Sequence, residues 1–155
     1  MRRSHGKRTR PTAAILDSQS VKSTGHGGSV GYDAAKQIKG CKRHLLMDTL
    51  GVILGVAITT ANITERAGAQ QLLEQVLGWF TWLRVLCVDG GYAGAAFAQW
   101  VKELRPKLAV EVVKRSDTNT GFDVLPRRWI VERTFGWLVE QTNQKLVKQN
   151  ILPMP

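Results

Sequence analysis

Residues 84–89, RVLCVD, hold an apolar run of four residues that ends in an acid and is closed by Gly90-Gly91. A run this short, bounded by turn residues, suits a buried central strand rather than a helix. The segments around it keep the same grammar. Residues 12–21, TAAILDSQSV, read as a strand with Asp17 at its polar end. Residues 22–39 are rich in Gly and Ser and read as a loop or irregular excursion. Residues 42–48 and 52–60 are apolar runs around Thr49-Leu50-Gly51, the signature of a hairpin. Residues 64–78 place Ala67, Leu72, Leu73, Val76 and Leu77 at helical spacing, with Thr64 able to cap the first turn. Residues 93–104 repeat that spacing with Phe97, Trp100, Val101 and Leu104, and Pro106 stops them. Residues 108–114, LAVEVVK, form another strand, and Pro126 suits the first turn of a last helix through RRWIVERTFGWL.

The order is therefore β-β-β-α-β-α-β-α. It predicts an α/β fold, a mixed sheet with helices on its faces and right-handed crossovers to the later strands. The five tryptophans, Trp79, Trp82, Trp100, Trp129 and Trp137, are expected to pack in or near the core.

Charge narrows the partner. With 22 Lys and Arg against 12 Asp and Glu, the chain carries a net +10, which favours a polyanion and above all nucleic acid. A solvated basic face is the plainer account of the same excess. Arg2, Arg3, Lys7, Arg8 and Arg10 crowd residues 1–11 without an acid, as in a disordered basic arm. No apolar stretch follows that arm, so it does not read as a secretory signal, and no run is long enough for a membrane helix. Cys41 and Cys87 make neither a disulfide framework nor a zinc quartet and suit a reduced cytosol.

Three acids stand where structure alone gives them little reason. Asp17 follows Ala13-Ala14-Ile15-Leu16, Asp89 ends Val85-Leu86-Cys87-Val88, and Glu132 lies between Ile130-Val131 and Phe135. A carboxylate near a core costs about several kcal/mol unless it is paired or bound to a metal. If the strands of Asp17 and Asp89 are neighbours, both face one pocket, and a helix across that sheet end supplies Glu132. Three hard oxygen donors of this kind suit Mg²⁺ or Mn²⁺ and phosphoryl chemistry. The plainer account makes Asp17 a strand end and Asp89 turn chemistry, with Glu132 pairing with Arg128 four residues earlier. Spacing alone leaves both accounts open. Lys42-Arg43-His44 can touch phosphate or simply open an exposed strand. Gly25-x-Gly27-Gly28 lacks the spacing of a phosphate loop.

Three stretches together are more specific. The first runs from Ala14 to Lys22 as AILDSQSVK and continues through Gly31-Tyr32-Asp33, Lys36 and residues 39–51. The second is VDGGYAG, residues 88–94, and the third is RWIVERTFGWL, residues 128–138. With these stretches the chain resembles the catalytic part of bacterial insertion-sequence DDE transposases, the branch with a short ribonuclease H-like core. The resemblance covers about residues 11–138. It implies a ribonuclease H-like sheet with Asp17 on the first strand, Asp89 at the end of the fourth and Glu132 on the last helix. It further implies that the three acids hold two divalent ions, Mg²⁺ or Mn²⁺. These serve hydrolysis at the element's ends and joining of the freed 3′-hydroxyl to target DNA. Lys22, Lys42, Arg43, Arg128 and Arg133 are the expected phosphate contacts. Glu132 follows Asp89 by only 43 positions, which fits the short-core branch.

The chain departs from the related pattern at Leu125, where a Tyr is usual, at Val139, where a Lys is usual, and at Cys41, where an Arg is usual. After Leu138 it reads VEQTNQ rather than a basic run. The expected organisation is a basic arm over 1–11, a ribonuclease H-like catalytic domain over 12–140 and a divergent tail over 141–155. Because the region that binds element ends in a full transposase is missing, the chain is expected to be a partial or second-frame product. Its expected location is the bacterial cytoplasm at the nucleoid. Its expected partners are DNA and a further copy or an upstream-frame transposase. Two alternatives differ in class: a fragment that binds DNA or a partner transposase without catalysis, and a general nuclease on the same fold.

Overall fold

The structure is a computed structural model, and it describes Gly6, residues 9–23 and residues 29–113. Its elements are β1 (Ala13–Lys22), β2 (Gly31–Asp33), β3 (Ile38–Asp48), β4 (Ile53–Thr60), α1 (Glu65–Val76), β5 (Val85–Val88), α2 (Ala95–Leu104) and β6 (Ala109–Val112). A single 3-10 turn, Gly90–Tyr92, follows β5. The strands form one mixed sheet in the order β2-β3-β1-β5-β6, with β4 also paired to β3. β1 and β3 run antiparallel, with Asp17 opposite Leu45 and Ala14 opposite Asp48. β1 and β5 run parallel, as do β5 and β6. β4 takes the Cys41–Met47 part of β3, and β2 takes the Ile38–Gly40 part. The expected last helix, with Arg128, Glu132 and Arg133, and the 141–155 tail lie outside the described residues, as does the Gly25–Gly28 segment.

One face of the sheet carries the main core. Side chains alternate along a strand, so Ala14 and Leu16 of β1 share a face with Leu46 of β3. They pack with Leu86 and Val88 of β5, with Ala69, Leu72, Leu73 and Val76 of α1 and with Phe97 and Val101 of α2. Thr64 caps α1, its hydroxyl accepting from the Ala67 amide at 3.2 Å, as its position in the sequence predicts. The opposite face is buried too, through Ile15, Leu45, Met47 and Cys87. The apolar run of β5 is thus a central strand between two parallel-aligned neighbours. Trp79 departs from expectation: it stands 73% exposed in the turn after α1. Its amide bonds the Val76 carbonyl at 3.0 Å, and that turn leaves the indole beyond the end of the packed helix face.

The segment expected to be a loop up to Lys39 contains β2, and β3 starts four residues earlier than Lys42. Polar contacts hold this extension, which is why apolar alternation does not reveal it. Asp33 accepts from Ser20 Oγ at 2.6 Å and lies 3.2 Å from Lys42 Nζ, all three buried. Its second oxygen accepts from the Ala35 and Lys36 amides, each at 3.1 Å, and so shapes the turn into β3. The Ser20 hydroxyl above all, then the Lys36 amide and Lys42, hold Asp33 down at about 2 against the opposing effect of burial.

His44 continues that polar line into the core. It is 0% exposed, and its Nε2 lies 3.0 Å from Thr59 Oγ1. Burial pushes the imidazole down to about 4, with the Lys42 charge acting in the same direction. α1 can cross the ring only because residue 68 is glycine, since a Cβ there would fall inside the imidazole. Gly68→Ala gains about 0.8–1 kcal/mol of helix propensity but overpacks this contact, which costs about 1–3 kcal/mol. Urea unfolding is expected to show a net loss of stability. In a His44→Ala background, where the ring is gone, much of that loss is expected to disappear.

Candidate active site

β5 ends at Val88 while β1 runs on to Lys22, and the first candidate acids sit at that step. The parallel register pairs Ala13 with Val85, Ala14 with Leu86 and Ile15 with Cys87. Continuing the same offset by two residues puts Asp17 level with Asp89. By the alternation of side chains Asp17 shares the sheet face of Ile15 and Leu45. Asp89 opens the 3-10 turn, and its Oδ1 accepts from the Gly91 amide at 2.9 Å. Asp17 is half-buried, and its Oδ1 accepts from the Ser18 amide at 2.7 Å.

The electrostatics agree with this juxtaposition. Burial raises Asp17 to about 6, and the charges of Asp89 and Glu65 push the same way; the Ser18 amide and Lys36 oppose them. Burial also raises the Tyr92 phenol, and Asp17, Glu65 and Asp89 add to that shift while Ser18 opposes it. Asp17, Asp89 and Glu65 therefore share one field. Glu65 and its neighbours were not singled out by the sequence, where an acid after a capping Thr reads simply as a helix start. In the fold, Glu65 Oε1 holds Lys36 Nζ at 3.0 Å. Burial acts to lower Lys36, but the Glu65 carboxylate, with the charges of Asp33 and Asp17, raises it overall. The next residue, Arg66, reaches the loop after β5, donating to the carbonyls of Gly91 at 3.1 Å and Ala93 at 2.5 Å.

The expected phosphate contacts fare differently. Lys22 is exposed at the end of β1. Arg43 is half-buried opposite Gln19 and shares the sheet face of Asp17. Lys42 turns the other way: it is 5% exposed, donates to the Ile63 carbonyl at 2.8 Å and pairs with Asp33. Its ammonium ties β3 to Asp33 of β2 and to the Ile63 carbonyl ahead of α1, and the expectation that it grips DNA is corrected accordingly. Alternation along β3 explains the split, since adjacent residues of one strand face opposite sides. Glu132, Arg128 and Arg133 lie outside the described residues. Among the described residues no group of three acid, His or Cys side chains could hold a metal ion.

Asp17 and Asp89 nonetheless fit a divalent cation in kind. Both offer only oxygen donors, and their mutual repulsion is what a bound cation removes. Without one, the Asp17 charge opposes folding. Between its ordinary value of 3.8 and about 6, the folded chain retains a proton that the unfolded chain has released, so stability falls as pH rises through that window. Asp17→Asn keeps the acceptor for Ser18 and removes the charge. In metal-free buffer it is expected to stabilise the chain by about 1–3 kcal/mol at pH 7. The gain is expected to vanish below pH 4 when denaturant unfolding is followed across pH.

A family model described as the transposase DDE domain matches residues 8–146. Among solved structures, the chain is similar to a chain in the cryo-EM structure of the simian T-cell lymphotropic virus intasome in complex with the PP2A regulatory subunit B56 gamma. The TM-score is 0.58 at 18% identity, and the alignment covers 94% of this chain and 45% of that one. At that identity the likeness carries the fold, the ribonuclease H-like α/β arrangement that the resemblance implied. This chain spans less than half the length of that structural relative. A search of curated proteins gives no match. Among the described residues no helix is long and apolar enough to cross a membrane.

Proposed function

The chain belongs to the transposase DDE-domain family, and from that premise we propose that it is the catalytic core for metal-dependent DNA cleavage and strand transfer at insertion-sequence ends. The observation that carries this reading is the β1–β5 register, which runs to Ile15–Cys87 and, continued by two residues, brings Asp17 level with Asp89 just past the end of β5. Glu132 is assigned as the third acid on the resemblance of RWIVERTFGWL to the family's last helix. Residues 12–140 are proposed as the catalytic domain, with 1–11 as a basic arm and 141–155 as a divergent tail.

Asp17, Asp89 and Glu132 would hold the Mg²⁺ or Mn²⁺ that the family uses. Bound there, two such ions supply an activated water or 3′-hydroxyl nucleophile and stabilise the leaving oxygen of an in-line displacement. The protein's own part is positioning. The Ser18 amide orients the Asp17 carboxylate, and the Gly91 amide orients that of Asp89. Arg43, on the face of Asp17, and Lys22, at the open end of β1, contact backbone phosphates, joined by Arg128 and Arg133 from the last segment. Two carboxylates inside a chain of net +10 suit this division of labour. The acids take the cations, and the basic surface takes the polyanion. The working assembly is proposed to pair element ends through a second copy or an upstream-frame transposase, in the bacterial cytoplasm.

Asp17→Asn, Asp89→Asn and Glu132→Gln are each expected to abolish Mg²⁺-dependent nicking of element-end DNA while leaving DNA binding in gel shifts within about twofold. Lys22→Ala and Arg43→Ala are expected to lower the slope of log K against log salt by about 1 each. Full nicking by any of the three acid variants would remove that acid from the site. Binding without metal-dependent nicking by the unaltered chain would mark it as a binding fragment, and cutting of unrelated DNA without strand joining would mark it as a general nuclease.

A further inference from the structure

We propose that Arg66 is a positioning residue for the candidate metal site, acting on Asp89 through the backbone of Gly91. The inference rests on the reading of Asp89 as a metal-holding acid. Asp89 lies beyond the last residue of β5 and is exposed, so the ladder that fixes Asp17 does not fix it. Its carboxylate is aimed instead by the Gly91 amide at 2.9 Å. The carbonyl of that same residue accepts from Arg66 Nε at 3.1 Å, and Arg66 Nη2 reaches the Ala93 carbonyl at 2.5 Å. The planar fork of a guanidinium matches two acceptors set in one direction, and a lysine cannot replace both bonds.

The neighbouring contacts make Gly91 the pivot. A Cβ built at Gly91 would lie 2.5 Å from Glu65 Oε2 and 3.1 Å from Asp89 Oδ1. The first turn of α1 is therefore pressed against the loop through Glu65 and gripping it through Arg66. Below, Tyr92 sinks its ring into the core against Phe97, with 5.5 Å between centroids. Tyr92 holds the loop to the sheet, while Arg66 sets the peptide that aims the acid. Groups that orient a metal ligand without touching the metal typically change metal affinity about 10–100-fold when removed.

The test uses the full chain stripped of metal and titrated with Mn²⁺ alone, free Mn²⁺ being followed by electron paramagnetic resonance. Arg66→Gln is expected to weaken Mn²⁺ binding about tenfold, with a melting temperature near that of the unaltered chain. Its shortfall in nicking is expected to be recovered by raising Mn²⁺, whereas Asp89→Asn stays inactive at every concentration. Arg66→Lys, which keeps the charge and loses the fork, is expected to fall on the side of Arg66→Gln and carries the test if the glutamine variant does not fold. Gly91→Ala is expected to weaken Mn²⁺ binding by an independent route. Unaltered Mn²⁺ affinity in both Arg66 variants, with affinity lost in Asp89→Asn, would overturn the positioning role and leave the acid assignment standing. Unaltered affinity in Asp89→Asn would overturn the acid assignment and this inference with it.

Discussion

The pairing of β1 with β5 is the constraint from which the rest of the architecture follows. A parallel ladder cannot be closed by a tight turn, so the chain must leave the β-meander, cross a face of the sheet and return. α1 makes that crossing after β4 and covers Leu16, Leu46 and Leu86 as it goes. The same ladder has a register, and that register decides which side chain of β1 meets the end of β5. A slip of one residue would turn Asp17 to the opposite face, toward Leu72 and Leu73 of α1, and carry Leu16 away from them. Burial of the apolar residues on both faces makes such a slip costly, so the core enforces the placement of the acid.

A second set of contacts locks the far half of the sheet by polar rather than apolar means. Asp33, Ser20 and Lys42 are buried together, and Lys42 also holds the Ile63 carbonyl just before α1. A buried ion pair adds little net stability, but removing one partner strands a charge and costs about 3–5 kcal/mol. It therefore acts as a register pin for β2, β3 and β1. From there the polar line runs through His44, over which Gly68 lets α1 pass closely, to Glu65 and Arg66 at the head of that helix. The α1 N-terminus, the loop after β5 and the turn after β2 thus meet around the acids, and the Lys36–Glu65 pair closes the ring. Stability and site geometry are linked here, because the Asp17 charge proposed to take a cation is the one whose burial opposes folding.

Most of the fold was legible along the chain because its elements are short-range patterns. The RVLCVD run, the Thr49-Leu50-Gly51 turn, the Thr64 cap and the stop at Pro106 mark their elements within a few residues of where they lie. β2 escaped because its register rests on Asp33 and Lys42, charged residues that look like solvent-facing loop. Trp79 was misplaced for the complementary reason: a large apolar side chain predicts burial only if a neighbour arrives to cover it. Lys42 and Arg43 are adjacent basic residues with identical local credentials, yet one is an internal anchor and the other shares the face of Asp17.

The linear sequence by itself determined the order of the elements other than β2, the basic character of the chain and the identity of the acids at the ends of apolar runs. Those properties depend on composition and on periodicities of two and 3.6 residues, and each is complete within a single segment. Only the tertiary structure decided that Asp17 stands level with Asp89, that Lys42 points inward and that Arg66 grips the loop behind Asp89. Each of those depends on hydrogen bonding and desolvation between segments far apart in the chain, which no local pattern encodes.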